Sequence, residues 1–170
     1  MEMLDKAVKD LKEGREPDLE RPLDHGTEVE LGSPSLIPDD YLPDVHSRLM
    51  MYKRIASADS LHALRELQVE MIDRFGLLPD QLKNLFRVTE LKLKATPLGI
   101  RKIEMAAGGG RITFDEKPNI EPIKIIQLIQ GQARCYQLDT QQRLKIVRQL
   151  PEVDQRLNEV NELIDYLQSA

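Results

Sequence analysis

The sequence predicts an α+β domain, in which a helical first half packs with a small antiparallel β-sheet and a terminal helix docks on the domain. Three observations predict this class. Apolar residues recur with helical spacing through residues 44–95 and again after Pro151. They alternate with polar residues in short runs near 27–32 and 100–114. The length of 170 residues, with 41% apolar and 31% charged residues, is typical of a globular chain with a sizeable core.

The first 26 residues are predicted to lie outside this domain. Residues 1–14 have the pattern of a short amphipathic helix, and residues 15–26 have the prolines and charges of a linker. Isolated helices shorter than roughly 12 to 15 residues are marginal in water. We therefore expect residues 1–14 to be left over from a preceding module of a longer protein, and the domain itself to span residues 27–170.

The helical half begins after a strand predicted at TEVELG, residues 27–32. Asp44 is placed to cap a first helix that runs to about Ser57. A third helix is predicted from Pro79 to about Ala95, because proline is favoured in the first turn. The expected inner face of the first helix consists of Leu49, Met50, Tyr52, Ile55 and Ala56.

The central helix, within residues 58–78, is predicted to have two distinct faces. Gly76 is expected to supply the left-handed C′ residue that ends such a helix. One face is an apolar stripe of Leu61, Leu64, Leu67, Met71, Ile72 and Phe75. The opposite face is a small acidic patch of Glu66, Val69, Glu70 and Asp73, with Arg74 at its edge. Spacing alone also fits a solvated face on which Glu70 and Arg74 pair within the helix.

The second half has the pattern of a hairpin followed by helix, strands and helix. Ile100–Met105 and Arg111–Phe114 flank the triple glycine at 108–110, which favours a β-hairpin turn over a phosphate-binding loop because it joins two strands. Further elements are a short helix at Pro122–Ile129 and strands at Cys135–Leu138 and Leu144–Val147. The terminal helix carries a heptad seam of Leu150, Val153, Leu157, Val160, Ile164 and Leu167, which fits a docked helix or a dimerising coiled coil.

Motifs for catalysis, metal binding and cofactor binding are missing from the sequence. It contains no phosphate-binding loop with a Gly-Lys dipeptide, no G-x-S-x-G elbow and no metal-ligand spacing among its three histidines and single cysteine. We therefore predict no catalytic residue, no metal and no cofactor. The net charge of −5 disfavours broad adhesion to nucleic acid, and the single cysteine fits a cytoplasmic chain.

One basic segment keeps a second function open. It comprises Lys83, Arg87, Lys92, Lys94, Arg101 and Lys102. Lysines and arginines in this density contact phosphates in nucleic-acid-binding domains, but they also make ordinary solvated helix faces. The alternative function is therefore an accessory domain that contacts nucleic acid through residues 83–102.

Three segments in order carry a family resemblance: TEVELGSPSLIPDDYLPD, RLMMYKRIASA and EMIDRFGLLPD, all within residues 27–80. Together they resemble the C-terminal domain of bacterial transcription-repair coupling factors (Mfd). Residues 95–170 resemble that domain only in their order of elements. The resemblance implies a non-catalytic regulatory domain of a DNA translocase whose motor motifs are not in this chain.

The resemblance also implies a partner. In that family the C-terminal domain docks on a UvrB-like N-terminal module of the same protein and masks the surface that binds UvrA. The charged residues that make this contact match Glu70, Asp73 and Arg74. The implied setting is a cytoplasmic, monomeric chain that meets UvrA, RNA polymerase and DNA only through the full-length protein, with no membrane contact.

Overall fold

The computed structural model describes residues 26–141 and 143–168. Within these ranges the chain forms two compact units: residues 34–93 form a helical unit, and residues 26–33 with 94–168 form a sheet unit. The helix predicted at 1–14 and nearly all of the linker predicted at 15–26 lie outside the described residues. The domain boundary at residue 27 therefore stays a prediction.

The helical unit contains the predicted helices in the predicted order. Helix α1 spans Val45–Ser57, α2 spans Leu61–Phe75 and α3 spans Asp80–Ala95. Asp44 caps α1, because its carboxylate accepts hydrogen bonds from the Ser47 amide and hydroxyl. The core of the unit is built on the side chains Ile37, Tyr52, Ile55, Leu64, Met71, Leu82 and Phe86.

Three residues predicted for the inner faces of α1 and α2 are exposed instead. Met50 and Ala56 of α1 face solvent, while Met51 is buried. In α2, Ile72 has 38% of its surface exposed, although Leu64, Leu67 and Met71 are buried as expected. These predictions were wrong because a helix buries a narrow stripe, and the residues at the edge of that stripe had been counted as part of it.

The sheet unit contains a five-stranded sheet within the described residues. Its strands are β1 (Glu28–Glu30), β2 (Ile100–Ala106), β3 (Gly109–Phe114), β4 (Tyr136–Leu138) and β5 (Leu144–Val147), in the spatial order β1-β2-β3-β5-β4. A short 3₁₀ helix at Thr96–Leu98 precedes β2, and helix α4 (Pro122–Gly131) precedes β4. The α+β class predicted from the sequence is confirmed.

The sheet is mixed, which corrects the prediction of an antiparallel sheet. Strand β1 pairs with β2 in parallel, with Val29 opposite Ile103, whereas the other pairs are antiparallel. A parallel pair needs a long crossover between its strands, and the whole helical unit lies between β1 and β2 in the sequence. Hydrophobic alternation does not distinguish the two directions of pairing, so the sequence could not reveal this one.

The terminal helix α5 (Val153–Gln168) is docked on the sheet unit, as predicted. The heptad residues Leu157, Val160, Ile164 and Leu167 are all buried. Buried Arg156 donates three hydrogen bonds from its guanidinium to the carbonyl oxygens of Leu31, Leu150 and Pro151, at 2.8–3.0 Å. These bonds tie the helix to the chain that leaves β1 and to the segment that precedes α5.

A buried polar network joins the same helix to strand β4. The carboxylate of Glu159 accepts a hydrogen bond from the hydroxyl of Tyr136 and another, at 3.0 Å, from the guanidinium of Arg148. Burial, together with the hydrogen bond to Glu159, raises the pKa of Tyr136. Both partners of the carboxylate lie in the sheet unit, so the hydrogen bonds of Glu159 are made within that unit.

Among the described residues, no helix has both the length and the apolar content that a membrane span requires.

Candidate partner-binding surface

Helix α2 presents its charged face on a backbone that is fixed at both ends. The Ser60 hydroxyl accepts a hydrogen bond from the Ala63 amide and caps the first turn. Gly76 ends the helix at φ 101°. The hydroxyl of Tyr41 donates to the carbonyl oxygens of Gly76, at 2.9 Å, and Met71, at 3.3 Å. The last turn of α2 is therefore held by a side chain from outside the helix.

Glu70 lies at the centre of an ion-pair network on this face. The guanidinium of Arg54, from the last turn of α1, binds both carboxylate oxygens, with the Nη2–Oε1 distance at 2.9 Å. Arg74, one turn further along α2, donates to Oε2 at 3.3 Å. Bidentate guanidinium–carboxylate pairs have a fixed geometry, so Glu70 is oriented by its neighbours.

The hydrogen bonds from Arg54 and the charge of both arginines lower the pKa of Glu70 from 4.5 to about 2. Because the folded-state pKa is depressed, the stabilisation from this carboxylate is present above pH 4.5 and is lost as the pH falls through about 2. We expect Arg54→Gln to raise the pKa of Glu70 most of the way back to its ordinary value. A carboxyl ¹³C NMR titration would measure it.

Asp44 is the internal control for that titration. Its pKa is lowered by the hydrogen bonds from Ser47, which do not involve Arg54. The pKa of Asp44 should therefore be the same in both proteins. An unchanged pKa for Glu70 in the Arg54→Gln variant would contradict the network described here.

Asp73 differs from the other carboxylates of this face. Glu66 pairs with His62 at 2.9 Å and Glu70 pairs with two arginines. Asp73 is exposed and forms no ion pair with any residue in the described ranges. It is thus the carboxylate of the acidic patch that is available to a partner, while Glu70 is already bound.

The comparisons with known proteins decide the family. A family model described as the TRCF domain matches residues 31–125, which is more than half of the chain. The chain belongs to the TRCF domain family.

Much longer proteins contain similar TRCF domains. The chain is 49% identical over 164 residues to the transcription-repair-coupling factor of Haemophilus influenzae and 48% identical over 168 residues to that of Escherichia coli. These alignments cover 96% and 99% of the chain, but only 14% and 15% of the two relatives. The TRCF domain described here therefore corresponds to a small part of each of them.

The fold of this TRCF domain also has a solved counterpart. A crystal structure of the C-terminal domain of a transcription-repair coupling factor superposes with a TM-score of 0.71. The match covers 86% of this chain and 95% of the other, at 20% sequence identity. At that identity the likeness establishes the fold alone, and it supports the α+β class derived above.

Three residues of the basic segment of the TRCF domain already pair with carboxylates within the sheet unit. The Lys94 ammonium lies 2.5 Å from the Asp165 carboxylate and donates to Asn161 at 2.7 Å. Lys102 lies within 4 Å of three glutamates, Glu28, Glu30 and Glu104, and Arg101 pairs with Asp115. Among the other members, Lys83 is exposed, while Arg87 and Lys92 are half-buried.

Sequence analysis missed one residue of the charged network, Arg54. The turn between Ser57 and Leu61 is short, so α1 and α2 are neighbours and the last turn of α1 is brought beside α2. An arginine in that last turn was a detectable signal. It was overlooked because only pairs within a single helix had been considered.

No metal site is found in the described part of the chain, where no three His, Cys, Asp or Glu side chains are grouped to hold an ion.

An open groove of about 430 Å³ lies beside the ion-pair network of Glu70. Its lining includes Arg54, Glu66, Leu67 and Glu70. The charged face of α2, capped at both ends, thus presents one carboxylate, that of Asp73, which pairs with no described residue.

Proposed function

We propose that this chain is a non-catalytic regulatory domain that docks on the UvrB-like N-terminal module of its own full-length protein. Docking through Glu70, Asp73 and Arg74 would mask the surface that UvrA uses and so keep the resting protein autoinhibited. The observation that carries this proposal is the exposed carboxylate of Asp73, which pairs with no cation among the described residues, beside the Arg54–Glu70–Arg74 network. Membership in the TRCF domain family supports it.

The physical requirements of an autoinhibitory contact suit such a surface. The contact must hold at rest and open when the rest of the protein engages, so it should be modest in area and largely polar. Tethering within one chain makes up for low intrinsic affinity, because a linker supplies an effective concentration on the order of millimolar. UvrA, RNA polymerase and DNA would be reached only through the full-length protein, which would act in the cytoplasm.

Asp73→Arg should weaken binding to the isolated UvrB-like module by more than tenfold, which corresponds to about 1.4 kcal/mol or more. The reversal removes an attraction and adds a repulsion at a position that is exposed and supports no ion pair in the described structure. Isothermal titration calorimetry at two salt concentrations would measure the loss. The wild-type affinity should fall with added salt, because exposed charge pairs are screened.

Asp39→Arg is the matched control for this experiment. Asp39 is also an exposed aspartate of the helical unit, so the net charge changes equally, but it lies on the segment before α1. Its reversal should leave the affinity unchanged. Equal weakening by both variants would show that net charge, and not the α2 face, governs the association, and it would overturn the assignment of Asp73.

The alternative function, contact with nucleic acid through residues 83–102, has less support. Lys94, Arg101 and Lys102 already pair with carboxylates of the sheet unit, so phosphate binding would have to displace those partners. Duplex DNA binding that is weakened by Lys83→Ala and Lys92→Ala, but not by Asp73→Arg, would favour this alternative over docking.

A further inference from the structure

Three large apolar side chains are exposed around Asp73. Leu77 has 85% of its surface exposed, Val69 59% and Ile72 38%. Single exposed apolar residues are ordinary on a protein surface. Val69 and Ile72 lie in the second half of α2 and Leu77 follows its end, and we call these three residues the apolar strip.

Helical spacing makes Val69 a surface neighbour of both Asp73 and Ile72 on α2. Val69 lies one turn before Asp73, at i and i+4, and Ile72 lies at i+3 from Val69. Leu77 follows directly after Gly76, where the helix ends. The available carboxylate therefore has one exposed apolar side chain a turn before it, and Leu77 follows four positions after it in the sequence.

Leu77 is exposed but its backbone is fixed. Gly76 takes a positive φ that other residues rarely adopt, and its carbonyl oxygen accepts the hydrogen bond from Tyr41. The Tyr41 ring also packs edge-on against Phe75, with 6.1 Å between the ring centroids. A fixed backbone leaves less conformational entropy to be lost when a partner covers Leu77, which favours this residue as a binding anchor.

The charges around the apolar strip restrict what can cover it. Glu70, Arg54 and Arg74 neutralise one another in part, whereas Asp73 has no counter-ion among the described residues. A covering surface that left this carboxylate unpaired would incur its desolvation penalty. The complementary surface must therefore place a cationic side chain next to an apolar recess.

We propose that Val69, Ile72 and Leu77 are the apolar anchors of the docking contact, with Leu77 inserted into a recess of the partner beside the cation that Asp73 binds. This inference rests on the proposed function, and its occupant is the UvrB-like module of the same protein. The apolar strip is continuous with the charged contact assigned there. Relatives are several times longer than this chain, so most of the full-length protein lies outside it.

Apolar and charged contacts respond differently to salt, and this difference separates the two roles. Burial of an apolar anchor involves no charge, so salt at moderate concentration screens nothing in it. Removing Leu77 should lower the affinity by a similar factor at low and high salt. Removing Asp73 should lower it more at low salt, where the charge pair is least screened.

The test is calorimetric titration of this chain into the isolated UvrB-like module at two salt concentrations, with wild type, Leu77→Ser and Asp73→Arg side by side. The matched control is Ile123→Ser, because Ile123 has 51% of its surface exposed but belongs to α4 of the sheet unit. Leu77→Ser should weaken binding about tenfold at both salt concentrations, whereas Ile123→Ser should leave it unchanged. Circular dichroism melting should show that both serine variants stay folded.

The possible outcomes separate the two proposals. Unchanged affinity for Leu77→Ser with a loss for Asp73→Arg would overturn the apolar anchors and leave the charged contact standing. Equal losses for Leu77→Ser and Ile123→Ser would also overturn them, because the effect would not be specific to the strip. No binding by wild type, even at module concentrations of about a millimolar, which is what tethering supplies, would overturn the proposed function and the inference that rests on it.

Discussion

Gly109→Ala should destabilise the sheet unit by about 3 kcal/mol or more, because two costs add at this position. Gly109 lies at the start of β3 with φ 126°, a backbone conformation that residues with a Cβ rarely adopt. An added Cβ would also lie 2.0 Å from the carbonyl oxygen of Ile146 on β5. The neighbouring strand must therefore move before any side chain fits.

Gly108→Ala is the control, since it adds the same methyl group one residue earlier. No atom lies within 4 Å of a Cβ built on Gly108, and its φ is outside the positive range. We expect its unfolding midpoint in urea, followed by circular dichroism, to stay close to that of wild type. Similar midpoints for the two variants would contradict the close packing of Gly109 against β5.

Arg156→Met should cost about 3 kcal/mol of unfolding free energy, because a buried donor to three backbone carbonyls is removed. The acceptors are Leu31, just after β1, and Leu150 and Pro151, just before α5. Methionine keeps most of the apolar stem but donates no hydrogen bond. Strand β1 should lose the most protection, which hydrogen exchange at the Val29 amide would report.

Arg101→Met provides the comparison for this arginine. Arg101 is exposed and makes one ion pair, with its Nε 3.4 Å from the Asp115 carboxylate. Exposed pairs contribute about 0 to 1 kcal/mol, so the expected loss of stability is small. Equal losses for the two variants would mean that the carbonyls around Arg156 find water in place of the guanidinium.

Local signals in the sequence predicted the element order well. The Asp44 cap, the stop at Gly76 and the heptad seam after Pro151 all appear in the structure where the sequence placed them. Each of these signals acts within a few residues, through a hydrogen bond to the backbone, a permitted φ or a helical repeat. Such effects do not depend on which distant segment the element meets.

The triple glycine shows where local reasoning was incomplete. It was interpreted as the turn of a β-hairpin, and a tight turn does lie there, between Ala106 and Gly109. Yet Gly109 and Gly110 belong to β3, where added Cβ atoms would meet the backbone of β5 and β2 at 2.0 and 1.9 Å. Only knowledge of the strand partners shows that these glycines serve close packing.

The charged surface was predictable only in part, because some of its ion pairs join residues from different helices. The types and spacing of Glu70, Asp73 and Arg74 could be read from the sequence of one helix. The sequence of that helix does not show which of the two carboxylates is already bound, because the answer depends on Arg54 from a different helix. Likewise, the pairing of Lys94 with Asp165 joins residues that are far apart in the sequence.

The parallel pairing of β1 with β2 gives this chain a nested topology. The Thr27 hydroxyl donates to the carbonyl of Ile100, 73 positions later, so an edge strand is recruited only after the whole helical unit has been synthesised. Closing so long a loop is entropically costly, which makes β1 a candidate for the last strand to join during folding. A mechanical load applied to the chain ahead of β1 would act first on the hydrogen bonds that join that edge strand to β2.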